Sequence, residues 1–311
     1  ADLSNKDLTG TILKGADLTD ANLDGVDLSG RDLSGTILKG ADLSNKDLTG
    51  TILKGADLTD VVLPSDYSFS GNNFQRTIFD GINLSGKDLS KSSLWYASFK
   101  NANMKNTNLR EADLMKSDLT NASLAGSDLS NASFLLANLS GVNLTDVTLE
   151  GTNFWKTDLS GVDFTVTAKK SYHGTLFREA NLSNSNFEGV TLSPAQVFSQ
   201  NFENARDEIG GGTYHPLELM IKLYGKGYVD GVGFIGFDNV HIISTEVHGD
   251  DLAVEFVFFN NFAHANLENA NFKNTGLWFV NFNSANLTNA DLSGADLRKA
   301  SFNNADLSNA I

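Results

Sequence analysis

The apolar positions of this chain recur with a period of five. From Phe69 to Phe164 every fifth residue is Leu, Phe or Met, twenty times in succession. The run begins Phe69, Phe74, Phe79, Leu84, Leu89, Leu94, Phe99 and Met104, and closes on Leu159 and Phe164. Two places before each centre stands a small or short residue, such as Ala97, Ala102, Thr107, Ala112 or Ser117; one place before stands mostly Asp, Asn or Ser. This period fits neither a helix of about 3.6 residues per turn nor the alternation of a strand. It predicts a repeat architecture, in which each unit buries its centre by stacking on its neighbours.

The same period organises most of the chain. The first block, Ala1 to Leu63, has thirteen centres, all Leu, and residues 1–20 and 41–60 are identical. Twenty residues are four pentads, so a four-sided coil explains the copy: whole coils duplicate without disturbing the stack. Such an exact copy reflects recent duplication or design. At Leu63-Pro64-Ser65-Asp66-Tyr67-Ser68-Phe69 the spacing becomes six, and Pro64 supports a break at 64–68. A second irregular piece spans 165–176, after which the pentad resumes at Phe177 and runs to Phe202. The repeat is therefore expected over 1–202 and again over 237–311 in the same solenoid, weak at Phe237, Ile242 and Val247 and firm from Leu252. Residues 203–236 read as an excursion, with Pro216 and Gly225 bounding a short helix.

These residues carry a family resemblance. ADLTD, ANLDG, ADLSG, ANLTN and SNFEG resemble the A-[DN]-[LF]-x-x unit of pentapeptide-repeat proteins. The resemblance implies an all-β fold, a right-handed four-sided parallel β-helix with one pentad per side. It places the centre and the residue two before it inward, and a turn at each corner. At the usual strand spacing the chain would make about thirteen coils and a rod of about 60 Å. Lys6, Arg31, Lys46 and Lys87 stand at the small inward site, where an unpaired cation cannot be buried. They are expected to lie along the wall with their charged ends out. Ile12, Ile37 and Ile52, at the usual Asp/Asn site, are expected to be partly exposed.

In a four-sided coil, residues twenty apart share a side. Trp95, Met115, Leu135 and Trp155 then fall in one outward column, and Arg76, Tyr96, Lys116, Leu136 and Lys156 in the next. Trp95, Tyr96, Met115, Leu135, Leu136 and Trp155 would form one exposed apolar patch. Such patches mark contact sites, and Trp, Tyr and Met are typical anchors. Phe258, Phe259, Trp278 and Phe279 form a second such set. For both, two readings stand: a partner surface, or a surface covered by the chain's own excursion. Phe262, Phe282 and Phe302 read as an inward core ladder.

Candidate chemistry adds little. His173, His215, His241, His248 and His264 show no metal-ligand spacing, and Gly210-Gly211-Gly212 lacks the Lys-Ser/Thr of a phosphate loop. No catalytic residue, metal or cofactor is expected. With no cysteine there is neither a disulfide framework nor thiolate chemistry. A formal charge of -15 argues against direct nucleic-acid binding, and no apolar run reaches membrane-span length. The compartment, cytoplasmic or secreted, stays open. The start at Ala1, without a signal peptide, reads as a processed protein or an excised piece.

Three functions remain. The first is a non-enzymatic interaction scaffold, with end-to-end self-association through uncapped coils. The second, implied by the resemblance, is mimicry of DNA toward DNA gyrase. Against it, fifteen net charges over about 60 Å is about one per 4 Å, compared with about one per 1.7 Å in duplex DNA. The third is the recognition portion of a secreted bacterial effector.

Overall fold

The computed structural model describes residues 2–65, 67–167, 175–190, 192, 261–278 and 280–311, together with the backbone of five strands between 197 and 258. In the repeat, parallel bridges join residues twenty apart. One continuous series runs Asn73, Ser93, Asp113, Ser133, Asn153, Leu176, Asn261, Asn281, Ser301. Four such series, five residues apart, make four walls.

Each pentad closes through two hydrogen bonds and one backbone conformation that its residue types supply. The N–H three places after a centre donates to the centre's carbonyl, as Ala97 does to Leu94 at 3.0 Å. The residue two places after the centre has positive φ, which makes the corner a type II turn. The Asp or Asn before the centre accepts the N–H of the residue after it, as Asp118 does from Thr120 at 3.0 Å. This Asx turn explains why short acidic and amide side chains recur there.

The inward positions make one core. The centres from Phe69 to Leu124 are nearly all fully buried, with small side chains such as Ala97, Ala102 and Ala112 between them. Rings from Phe134 through Phe154, Phe177, Phe262 and Phe282 to Phe302 stack in one file at centroid distances of 4.8–5.5 Å. The ladder expected at Phe262, Phe282 and Phe302 is its upper end. Several polar residues at the small inward site donate to a carbonyl of the preceding coil. Thr157 Oγ1 donates to Phe134 O at 2.6 Å, and Thr152 Oγ1 to Leu129 O at 3.0 Å.

One lysine uses this same interior acceptor, which corrects the expectation that its charged end points outward. Lys46 is buried, and its ammonium donates to the carbonyl of Leu23 inside the wall. Lys87 is half-buried, and its Nζ donates to the carbonyls of Pro64 and Ser65 at 2.8 and 2.6 Å. Lys6 is exposed, and Arg31 reaches the Thr11 carbonyl at 3.4 Å. Ile12, Ile37 and Ile52 are exposed.

The insertions leave the stack unbroken. At 64–68 one residue is added: Asp57 bridges Ile78 rather than a residue twenty away. Between Phe164 and Phe177 three are added, because Asn153 bridges Leu176. The largest falls between Leu192 and Asn261. The coil carrying Phe177, Leu182 and Phe187 stacks directly on the coil carrying Phe262, Leu267 and Phe272, as Phe177 N donating to Asn261 O at 2.9 Å shows.

Within that insertion the repeat expected at Val197, Phe202, Ile242, Val247 and Leu252 does not form; Phe237 lies outside the described residues. The segments β1 (Val197–Phe202), β2 (Tyr228–Val229), β3 (Gly233–Phe234), β4 (Val240–His248) and β5 (Asp251–Phe258) are strands. β5 lies between β1 and β4 in an antiparallel sheet, and β2 pairs with β3. Runs such as Leu252-Ala253-Val254-Glu255-Phe256-Val257 satisfy strand alternation and a five-residue count alike. The corner site after Leu252 is Val254, a β-branched residue that favours the extended strand over positive φ. The rod is correspondingly shorter than the pentad count implied. The expected helix near 216–224 lies outside the described residues.

Candidate interaction surface

One edge of the rod follows the centres Phe74, Leu94, Leu114, Phe134, Phe154, Phe177, Phe262 and Phe282. Backbone bonds fix its register. Arg76 N donates to Trp95 O, Tyr96 N to Met115 O, Lys116 N to Leu135 O, Leu136 N to Trp155 O and Lys156 N to Arg178 O, all at 2.8–3.0 Å. Trp95, Met115, Leu135 and Trp155 therefore stand one above another, with Tyr96 and Leu136 in the adjoining column. Trp95 and Trp155 are each 37% exposed, Tyr96 48% and Leu136 43%. Met115 and Leu135 are half-buried.

Of the second set, Phe258 and Trp278 have described positions. Phe258 ends β5 and is not part of a coil. Trp278 follows Leu277, three corners on from Phe262, and belongs to a different edge from Trp155. Phe259 and Phe279 lie outside the described residues.

The first edge is unusual in its backbone. Positive φ at a type II corner suits Gly and Asn and strains a large side chain. The next two edges around the coil comply: their positive-φ residues, such as Gly81, Asn101, Asn121 and Gly141 on one, are all Gly, Asn or Asp. The Trp95 edge instead has Arg76, Tyr96, Lys116, Leu136, Lys156, Glu179, His264 and Ser284 in succession, at φ of 55–62°. In the N-terminal coils the same edge has Gly15, Gly35 and Gly55. The large residues therefore begin where the exposed aromatics begin.

Cations stand over these aromatic rings. Arg76 Cζ lies 5.7 Å and Lys116 Nζ 5.1 Å from the Tyr96 ring centroid, and Lys116 Nζ donates to Tyr96 Oη at 2.9 Å. Lys156 Nζ and Arg178 Cζ lie 5.6 and 5.5 Å from the Trp155 ring. Trp155 Nε1 donates to Glu179 Oε1 at 3.2 Å, and Lys156 pairs with Glu179 at 3.2 Å. Burial pushes the Glu179 carboxyl up, but Lys156, Trp155 and Arg178 together outweigh it and hold the group below its ordinary value. Elsewhere exposed cations reach an Asp of the next coil, as in Lys100–Asp118 at 3.1 Å and Arg110–Asp128 at 3.3 Å. Among the described residues no carboxylate stands within 4.0 Å of Arg76 or Lys116.

Sequence reasoning missed Arg178 and Glu179 as members of this edge. The three-residue insertion displaces them from a strict count of twenty. The signal was present: Phe177 is twenty-three places after Phe154 and re-sets the register.

Comparison with protein families decides the kinship. The family described as pentapeptide repeats matches eight times, over 1–30, 32–63, in overlapping copies through 68–165, and over 279–311, which is more than half of the chain. The chain belongs to the pentapeptide-repeat family. Its fold is the family's right-handed four-sided β-helix. Among solved structures it is similar to HetL of the cyanobacterium Nostoc sp. strain PCC 7120, described as involved in heterocyst differentiation regulation. That likeness has 20% identity over 97% of this chain and 92% of that one, with a TM-score of 0.42. It is also similar to QnrB1, described as a plasmid-mediated fluoroquinolone resistance protein, at 20% identity over 60% of this chain and 82% of that one, with a TM-score of 0.35. A comparison with curated proteins gives no match. No helix among the described residues is long and apolar enough to cross a membrane.

Proposed function

We propose that this pentapeptide-repeat protein is a non-enzymatic scaffold that binds a protein partner along the edge from Arg76 to Glu179. The observation that carries the reading is the unbroken run of large residues at positive φ on that edge, beside two edges of Gly, Asn and Asp and a fourth where Lys91, Glu111 and Lys299 stand among Gly and Asn. A non-glycine residue in this conformation costs roughly 1–2 kcal/mol. Gly or Asn would close the same turn at less cost, as the next two edges around the coil do. Strain concentrated on one edge, beside exposed Trp and Tyr, favours contacts made outside the chain.

The gyrase reading has weaker support. Asp–Lys and Asp–Arg pairs between successive coils divide the acidic surface into neutral patches. Duplex DNA is not interrupted in this way.

Site-specific photo-crosslinking tests the proposal. A crosslinker at Leu135, compared with one at Asn121 on the next edge, should give a discrete protein adduct only at Leu135 in the source cell. The adduct should disappear in Trp95→Ser/Trp155→Ser. Equal adducts at both sites, or an adduct that survives the double substitution, would remove this edge as the contact surface.

A further inference from the structure

The edge carries a charge opposite to that of the chain. Arg76, Lys116, Lys156 and Arg178 outweigh Glu179 there, on a protein of net charge -15. Down the corner column the order alternates: Arg76, Tyr96, Lys116, Leu136, Lys156. With coils about 4.8 Å apart, the cations recur about every 9.6 Å, with an apolar residue midway between each pair.

We infer that this edge binds an acidic, extended segment of a partner protein, in polyproline II conformation with a carboxylate at every third residue. The inference rests on the reading of the edge as a partner surface and adds the chemistry of the partner. Polyproline II advances about 9.3 Å in three residues, so two successive steps miss the cation spacing by only about 0.6 Å. A helix repeating every seven residues advances about 10.5 Å and misses by about 1.8 Å. Alternate residues of a strand, at about 6.6 Å, miss at the first step. A polyproline II ligand also arrives with little conformational entropy left to lose.

A nucleic acid fits the edge less well. Arg76 and Lys116 already lie against the Tyr96 ring, and Lys156 and Arg178 against that of Trp155. Those faces are not open for base stacking. A polyanion would also run beyond these few cations on a chain of net charge -15. A short peptide meets only the local cations, because solution ions screen charges beyond about 8 Å.

The test is fluorescence anisotropy with a labelled peptide of three Glu-Pro-Pro repeats, its Gln-Pro-Pro counterpart and an oligothymidylate as probes. The proteins are the full chain, Lys116→Glu, and Trp95→Ser/Trp155→Ser. The reversal at position 116 makes no new backbone demand, since Glu111 and Glu179 hold the same conformation at φ of 58° and 55°. The expected result is binding of the Glu peptide at least tenfold tighter than the Gln peptide. Lys116→Glu should weaken it tenfold or more, and so should the Trp double variant. Binding sensitive to the Trp substitutions but not to Lys116→Glu or to Glu against Gln overturns the acidic partner and leaves the edge as a contact surface. Binding insensitive to every substitution overturns both readings. No binding of the Glu peptide at millimolar concentration, or tighter binding of the oligonucleotide, overturns the inference, and the crosslinking experiment then judges the edge by itself. Self-association through this edge, seen as a Trp95- and Trp155-dependent dimer in sedimentation, would equally replace it.

Discussion

Lys116 sits one coil above Tyr96 at the same corner, its ammonium 2.9 Å from the phenol oxygen and 5.1 Å from the ring centroid. The ammonium's hydrogen bond and charge hold the Tyr96 hydroxyl below its ordinary value of 10.0. Spectrophotometric titration should find one tyrosine ionising early. In Lys116→Met that tyrosine should return to the ordinary range. An unchanged titration curve would mean that the two side chains are apart in solution.

The Asx turns predict an acid limit. The Thr19 hydroxyl and amide hold Asp17 below its ordinary 3.8, and Ser29 and Ser44 do the same for Asp27 and Asp42. At Asp118 burial pushes the carboxyl up, but Thr120 and Lys100 outweigh it. Carboxyls lowered on folding add stability that is complete above the unfolded value and is lost as pH falls through the lower folded values. The melting temperature should therefore be flat above about pH 5 and fall below about pH 4. Asp17→Asn keeps an Oδ1 acceptor for the turn and should flatten the fall. A steeper fall would contradict the assignment.

The Phe ladder makes a packing prediction. Phe154 is fully buried between Phe134 and Phe177, at 5.4 and 5.5 Å. Phe154→Ala should cost about 3–5 kcal/mol in denaturant unfolding. Phe154→Leu, the residue that fills other centres of the same file, should cost far less. Equal losses would show that the centres are not interchangeable.

Glycine at a corner makes room for an Asn of the coil below. At Gly126, φ is +75° and an added Cβ would collide with Oδ1 of Asn106. Gly126→Ala should destabilise the protein by about 1–3 kcal/mol, whereas Gly161→Ala, with φ +70° but open space, should cost less. A reversed order would count against the stacking of these corners.

Much of the architecture was legible because its signal is repeated. Leu94 or Phe99 alone says little, yet their period fixes which side chain faces inward and which residues share an edge, down to Trp95, Met115, Leu135 and Trp155 in one column. What was not legible depends on energies a count of five does not contain. The lysine at 46 was expected outside because the carbonyl of Leu23 that receives it belongs to another coil. Phe258 was aligned with Trp278 because twenty residues separate them, although β4 and β5 take that stretch out of the repeat. The strain at Tyr96 and Leu136 was invisible until the third corner position was known to need positive φ.

The central claim is that large residues at these corners serve a contact outside the chain rather than the stability of the rod. Leu136 tests it most directly, since φ is 61° and the side chain is exposed. Asn suits this conformation, so Leu136→Asn should raise stability by about 0.5–1 kcal/mol. For a chain of this size that is a rise of about 1–4 °C in thermal melting. A fall in melting temperature would show that Leu136 stabilises the rod itself, and would contradict the account.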